Sequence, residues 1–76
     1  MGDRIVDRRR GDIVELPNGE LGIVESFQVE GIKRGKLNIT GVNVRPMPEG
    51  KLAKTPIQID PNTDVTPLVV NFEDLL

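Results

Sequence analysis

Carboxylates are the most abundant chemically capable groups in this sequence, and their spacing suggests two kinds of chemistry. Asp60, Asn62 and Asp64 follow the Asp-x-Asn-x-Asp spacing that begins an EF-hand calcium loop, where hard oxygen ligands wrap a cation. The pattern then stops. Val65 stands where that loop needs its turn glycine, Asn71 stands where it needs a bidentate glutamate, and Pro61 interrupts the ligands. Asp60 to Asp64 therefore reads as an Asx-rich turn between two strands, without a metal. The pairs Asp12 with Glu15 and Asp60 with Asp64 are the candidates for carboxylate acid–base work, but acids in turns and on open strand faces are ordinary solubilising groups. The chain has no histidine and no cysteine, which removes the commonest general base and the strongest common nucleophile. The expectation is a non-enzymatic protein with no cofactor.

The cations gather more tightly. Arg8-Arg9-Arg10 leads into the first clear strand, and Lys33, Arg34 and Lys36 surround a glycine-flanked tip. Arg8, Arg9, Arg10, Lys33, Arg34 and Lys36 are the expected partner-binding residues, meeting either an acidic protein surface or phosphates. Opposing this, Asp3, Asp7 and Asp12 lie close enough in sequence to counter the arginines, and charge runs are commonly solvated faces. Residues 1–45 hold 8 basic and 7 acidic side chains, whereas residues 46–76 hold 2 and 5, so the C-terminal part opposes a uniformly positive surface. Phe27 and Phe72 are the only aromatics, which is poor equipment for stacking single-stranded bases. A protein partner is the first expectation and RNA the alternative.

The elements that must position these groups read as short strands. Two apolar runs flank Pro17-Asn18-Gly19, a hairpin signal because Asn-Gly tolerates positive φ at the centre of a tight turn. Val14 and Leu16 are expected to share one face, and across the turn Leu21, Ile23 and Phe27 to do the same, while Glu25 marks an edge, a bulge or a barrel mouth. Gly31 to Gly35 reads as a loop with a basic tip. Lys36 to Val44 reads as the third strand, with Leu37 and Ile39 on one face and a bulge at Gly41 that shifts Val42 and Val44 into phase. Arg45 to Gly50 is proline-broken and reads as a connection. Thr55 to Asp60 and Val65 to Phe72 complete the strands, the last with Leu68, Val70 and Phe72 inward, and Glu73 to Leu76 reads as a final turn or a frayed end. Residues 1–10 form an arm or edge strand, to which Ile5-Val6 contributes, and residues 11–76 form one small β-barrel domain. No apolar run approaches a membrane span, and a cytoplasmic location is expected.

Five short antiparallel strands in so little chain fit an all-β, SH3-like, partly open barrel. The opening hairpin resembles the KOW motif through Gly11-Asp12, Val14, Leu16, Gly19, Gly22 and Val24. That resemblance implies an SH3-like barrel and RNA or polymerase binding; the loop here is shorter, and Asn18 stands where the motif usually has a basic residue. The chain is also similar in length and pattern to SH3-like accessory subunits of photosynthetic electron-transfer complexes, which end in an apolar strand and an acidic-leucine turn, as Val69 to Leu76 does. This second resemblance implies an assembly role. A 76-residue domain without disulfide or zinc has a thin core, so partner binding would stabilise it. Leu37 to Thr40 and Leu68 to Asn71 are edges able to accept a partner strand, and homo-oligomerisation through an open edge is compatible with the pattern.

The hairpin makes a direct prediction. Gly19→Val should lower the thermal midpoint followed by circular dichroism, and an unchanged midpoint would mean that the register around Asn18-Gly19 is wrong.

Overall fold

The turn at Pro17 shows how residue types set the geometry. In the computed structural model, which describes residues 3–71, the Gly19 N–H donates to Leu16 O at 2.9 Å and the Leu16 N–H donates to Glu20 O at 2.8 Å. Gly19 has φ +88°, whereas Asn18 keeps a negative φ. This is a type I turn with proline at its first central position, closed by a left-handed glycine. The expectation of positive φ at both Asn18 and Gly19 is therefore corrected: Pro17 fixes the first central φ, and Gly19 alone enters the left-handed region. The Asn18 side chain instead accepts from the Glu20 N–H at 2.9 Å.

This turn joins β2 (Asp12–Glu15) to β3 (Leu21–Lys33), which returns through Arg34-Gly35 into β4 (Lys36–Pro46). Before them lie β1 (Asp3–Arg4) and a 3-10 turn, Ile5–Asp7; after them come a second 3-10 turn, Pro48–Gly50, then β5 (Ile57–Ile59) and β6 (Asp64–Asn71). All pairings are antiparallel in the order β1-β6-β2-β3-β4-β5. The result is an all-β half-barrel of six strands. Curling is visible in one contact: the Ile5 turn, next to one end of the sheet order, lies against β4, one strand from the other end. Ile5 is fully buried there, and its N–H donates to Thr63 O at 2.9 Å. The expectation that Ile5-Val6 extends a sheet edge is corrected, because Asp3–Arg4 makes that pairing and Ile5 turns inward to fill the barrel.

The core consists of Ile5, Val14, Leu16, Val24, Val42, Val44 and Val65, with Phe27 and Ile59 packed against it. Val24 and Phe27 are three positions apart, which strict alternation would place on opposite faces. The ladder explains the exception. Val24 pairs with Val44 but Ser26 pairs with Asn43, leaving Glu25 as an extra residue in β3. This bulge returns Phe27 to the inner face, opposite Val42. Leu21 and Ile23 thus do not share a face with Phe27, as alternation without a bulge suggested. They pair with Glu15 and Ile13 on the other face of the sheet, where Ile13 and Ile23 are themselves buried. The connection after β4 folds back on itself, with the Ala53 N–H donating to Pro46 O at 2.8 Å.

The last strand also departs from simple alternation. Val14 pairs with Pro67 and Asp12 with Asn71, so three residues of β6 oppose the single Ile13. Pro67 has no N–H for the ladder, and Leu68 beside it is exposed instead of inward. Val65 is the buried residue among the described side chains of this strand. The expected inward positions of Val70 and Phe72, and the turn over Glu73 to Leu76, concern side chains and residues outside those described. The Asp60 turn matches its expectation: Asp60 Oδ1 accepts from the Asn62 N–H at 2.8 Å.

Gly22 gives the sharpest test of this packing. It lies opposite Val14, and a Cβ there would sit 2.5 Å from Val44 Cγ1 and 3.5 Å from Leu16 Cδ1, both in the closed core. Gly22→Ala should cost about 1–3 kcal/mol of unfolding free energy in urea titration, the range for overpacking. Gly31→Ala meets no atom within 4 Å but keeps φ +90°, so its cost, about 1–2 kcal/mol, comes from the backbone alone. An undiminished stability of Gly22→Ala would refute the close approach of β3 to Val44.

Candidate functional site

β3 and β4 outlast their neighbours. β2 pairs with β3 only from Leu21 to Ile23, and β5 pairs with β4 only from Val42 to Val44. Beyond Gln28 and Gly41 the two strands continue as a two-stranded ribbon to Lys33 and Lys36. With a rise of about 3.3 Å per residue, it projects about 15 Å. The molecule is accordingly elongated, 40 × 28 × 22 Å.

Two further bulges shape the ribbon. Gln28 pairs with Gly41 and Val29 with Ile39, so Thr40 is extra on β4, and its hydroxyl donates to Gln28 O at 3.5 Å. Ile32 then pairs with Leu37, so Glu30 and Gly31 together oppose Asn38. Gly31 takes φ +90°, and the Asn38 side-chain amide donates to Glu30 O at 3.4 Å. With these offsets counted, Val29, Ile32, Leu37 and Ile39 share one face, continuous with the core side of Phe27 and Val42. Outside the barrel no strand among the described residues covers it: Val29 is 43% exposed, Ile32 70% and Leu37 61%. The opposite face carries Gln28, Glu30, Lys33, Lys36, Asn38 and Thr40. The ribbon is amphipathic.

Its tip is cationic and conformationally costly. Arg34 and Gly35 have φ +52° and +77°, the signature of a type I′ turn, and Arg34 lacks the freedom of glycine. Lys33 and Lys36 stand directly opposite each other, a like-charge pairing that destabilises a hairpin. Lys33, Arg34 and Lys36 have no ion pair among the described residues. The expectation of a loop over Gly31 to Gly35 is corrected: the strands run on to Lys33 and restart at Lys36, because one glycine serves the bulge and the other the turn.

The arginine segment is differently placed. Arg9 engages Asp12, with the Arg9 N–H donating to Asp12 Oδ2 at 3.0 Å and its guanidinium 4.0 Å from Asp12 Oδ1. Arg8 is half-buried, and its Nε is buried without a hydrogen-bond partner. Arg10 is exposed. The Gly11 N–H donates to Val24 O at 2.8 Å, so this segment lies at the end of the sheet from which the ribbon leaves. The two basic segments share that end, but the ribbon carries Lys33 to Lys36 away from Arg8 to Arg10 by about 20 Å of strand.

Two features were not read from the sequence. Val29 and Ile32 form an apolar face with Leu37 and Ile39, a pattern concealed by the offset at Gly31. Arg45 is the second. Its Nε donates to Glu25 Oε2, its Nη2 donates to Glu25 Oε1 at 3.2 Å, and its Nη1 donates to Ala53 O and Lys54 O at 2.9 Å each. The hydrogen bond to Glu25 holds the guanidinium above its ordinary pKa, with the carboxylate's charge adding to that effect against partial desolvation. Arg45 thereby fixes the bulge from which the ribbon departs.

At the other end of the sheet, Glu15, Leu16, Pro17, Asp64, Val65 and Thr66 line an open cleft of about 340 Å³. Both acids are exposed, whereas Leu16 and Val65 form a buried apolar floor. No helix among the described residues is long and apolar enough to cross a membrane. The chain matches no protein family, no curated protein and no solved structure.

Proposed function

We propose that this chain is a non-catalytic protein-binding or assembly module that engages its partner through the β3–β4 ribbon. The observation that carries this reading is the amphipathic extension itself, which places Val29, Ile32 and Leu37 in water beyond the barrel. Exposed apolar side chains grouped on one face and rimmed by charge are the composition of an interaction surface. The cationic tip supplies steering toward an acid-rimmed site. The half-barrel is compatible with an SH3-like fold, a scaffold suited to presenting such a hairpin.

An RNA-binding reading is favoured by one specific observation, the three cations at the tip that have no ion pair among the described residues. The apolar face gives the protein reading its advantage, because it has no use against a phosphate backbone and the ribbon carries no aromatic for base stacking.

Affinity capture from source-cell lysate tests both readings, with wild type compared with Ile32→Asp/Leu37→Asp at low and high salt, with and without nuclease. A protein set that survives nuclease and is lost with the double substitution, while thermal melts coincide, is the expected result. Retention by the double substitution would refute the ribbon assignment. Loss on nuclease treatment would transfer the function to nucleic acid.

A further inference from the structure

The ribbon and the acidic cleft lie at opposite ends of the same molecule. β3 starts at Leu21, beside Glu15, passes Gly11 at the level of Val24, and leaves the barrel in that direction. The cleft lies at the start of that path and the cationic tip at its finish. Their chemistry is complementary: Lys33, Arg34 and Lys36 with Ile32 and Leu37 on one, Glu15 and Asp64 above Leu16 and Val65 on the other.

We propose that the partner of the ribbon is a second copy of this chain, whose Glu15/Asp64 cleft receives the tip, so that copies associate head to tail. This rests on the ribbon reading above and identifies its partner. Insertion would bury Ile32 and Leu37 against an apolar floor and place the unpaired cations beside two carboxylates. It would also offset the repulsion between Lys33 and Lys36, since two opposite charges then stand beside the like ones. The cation nearest the cleft by register is Arg4, opposite Asp64 in the β1–β6 ladder. Its guanidinium is already engaged, with Nε 3.4 Å from Asp7 Oδ2 and Nη1 donating to Asn62 Oδ1 at 3.2 Å. Because the contact joins two different surfaces, it is heterologous, and repetition gives a ring or an open filament instead of a closed twofold dimer.

Sedimentation velocity on the full chain, from micromolar to millimolar concentration and at low and high salt, tests this with two variants. Lys33→Gln/Arg34→Asn/Lys36→Gln removes the tip charge while giving the turn an Asn-Gly pair that suits its positive φ. Glu15→Lys/Asp64→Lys makes the cleft repel a cationic tip. Wild type should grow in mass with concentration and shrink with salt, and each variant alone should require about a hundredfold more protein to associate. Mixed together, the variants retain one competent tip and one competent cleft and should stop at a one-to-one dimer. A wild type that stays monomeric, variants that assemble as well as wild type, or a mixture that forms no dimer would overturn the proposal. The underlying reading fails separately: a monomeric wild type with ribbon-dependent capture excludes the second copy and leaves the ribbon's role intact.

Discussion

The β3–β4 ladder depends on its interruption at Glu25. A regular pairing would put Phe27 on the same side as Ile23 and remove it from the core; one extra residue reverses that and bends the strand. An unpaired residue inside a ladder leaves backbone groups and a charged side chain to be accommodated. Arg45 does this with a two-pronged bond to the Glu25 carboxylate, the geometry in which a guanidinium binds most specifically. Its remaining donors hold Ala53 and Lys54, so the connection to β5 is anchored by the same side chain that fixes the bulge. The direction in which the ribbon leaves the barrel is set here.

The core sets the second constraint. It is made mostly of valines, and four of them, Val14, Val24, Val42 and Val44, are fully buried. Each buried side chain of this type contributes about 1.5–3 kcal/mol, too little in a chain of this length to leave room for an open barrel end. Ile5 supplies the closure by crossing to β4. The free edges are kept unattractive to other strands: β1 is two residues long, and Pro56 precedes the three-residue β5. Against that economy the uncovered face of Val29, Ile32 and Leu37 is an exception.

The all-β class, the Pro17 hairpin, the bulge near Gly41 and the Asx turn at Asp60 were legible because each has a local cause: alternation, a turn glycine, an Asx side chain. What was hidden follows from residues whose role depends on their neighbours. Ile23 and Val24 are equally apolar, and only the register with Ile13 and Val44 decides which faces the core. Gly31 and Gly35 bracket a segment that looks like a loop, yet one closes a bulge and the other a two-residue turn. The basic candidates were identified by composition, but their separation along the ribbon depends on how far β2 and β5 extend, which no residue within the ribbon encodes. Arg45 looked like the start of a proline-rich connection because its partner Glu25 is distant in sequence.

The tip shows most clearly that stability alone does not account for this hairpin. A two-residue turn with positive φ at both positions is satisfied at least cost by Asn-Gly, and a facing cross-strand pair is satisfied by opposite charges. The chain places Arg34 in the left-handed region and Lys33 opposite Lys36. Neither choice is compensated among the described residues, and each raises the free energy of the isolated fold. A contact outside the chain that supplies negative charge and an apolar surface would compensate both choices and would cover Ile32 and Leu37 at once. The strain, the unpaired charge and the uncovered face lie on the same few residues, so a single external surface would compensate all of them.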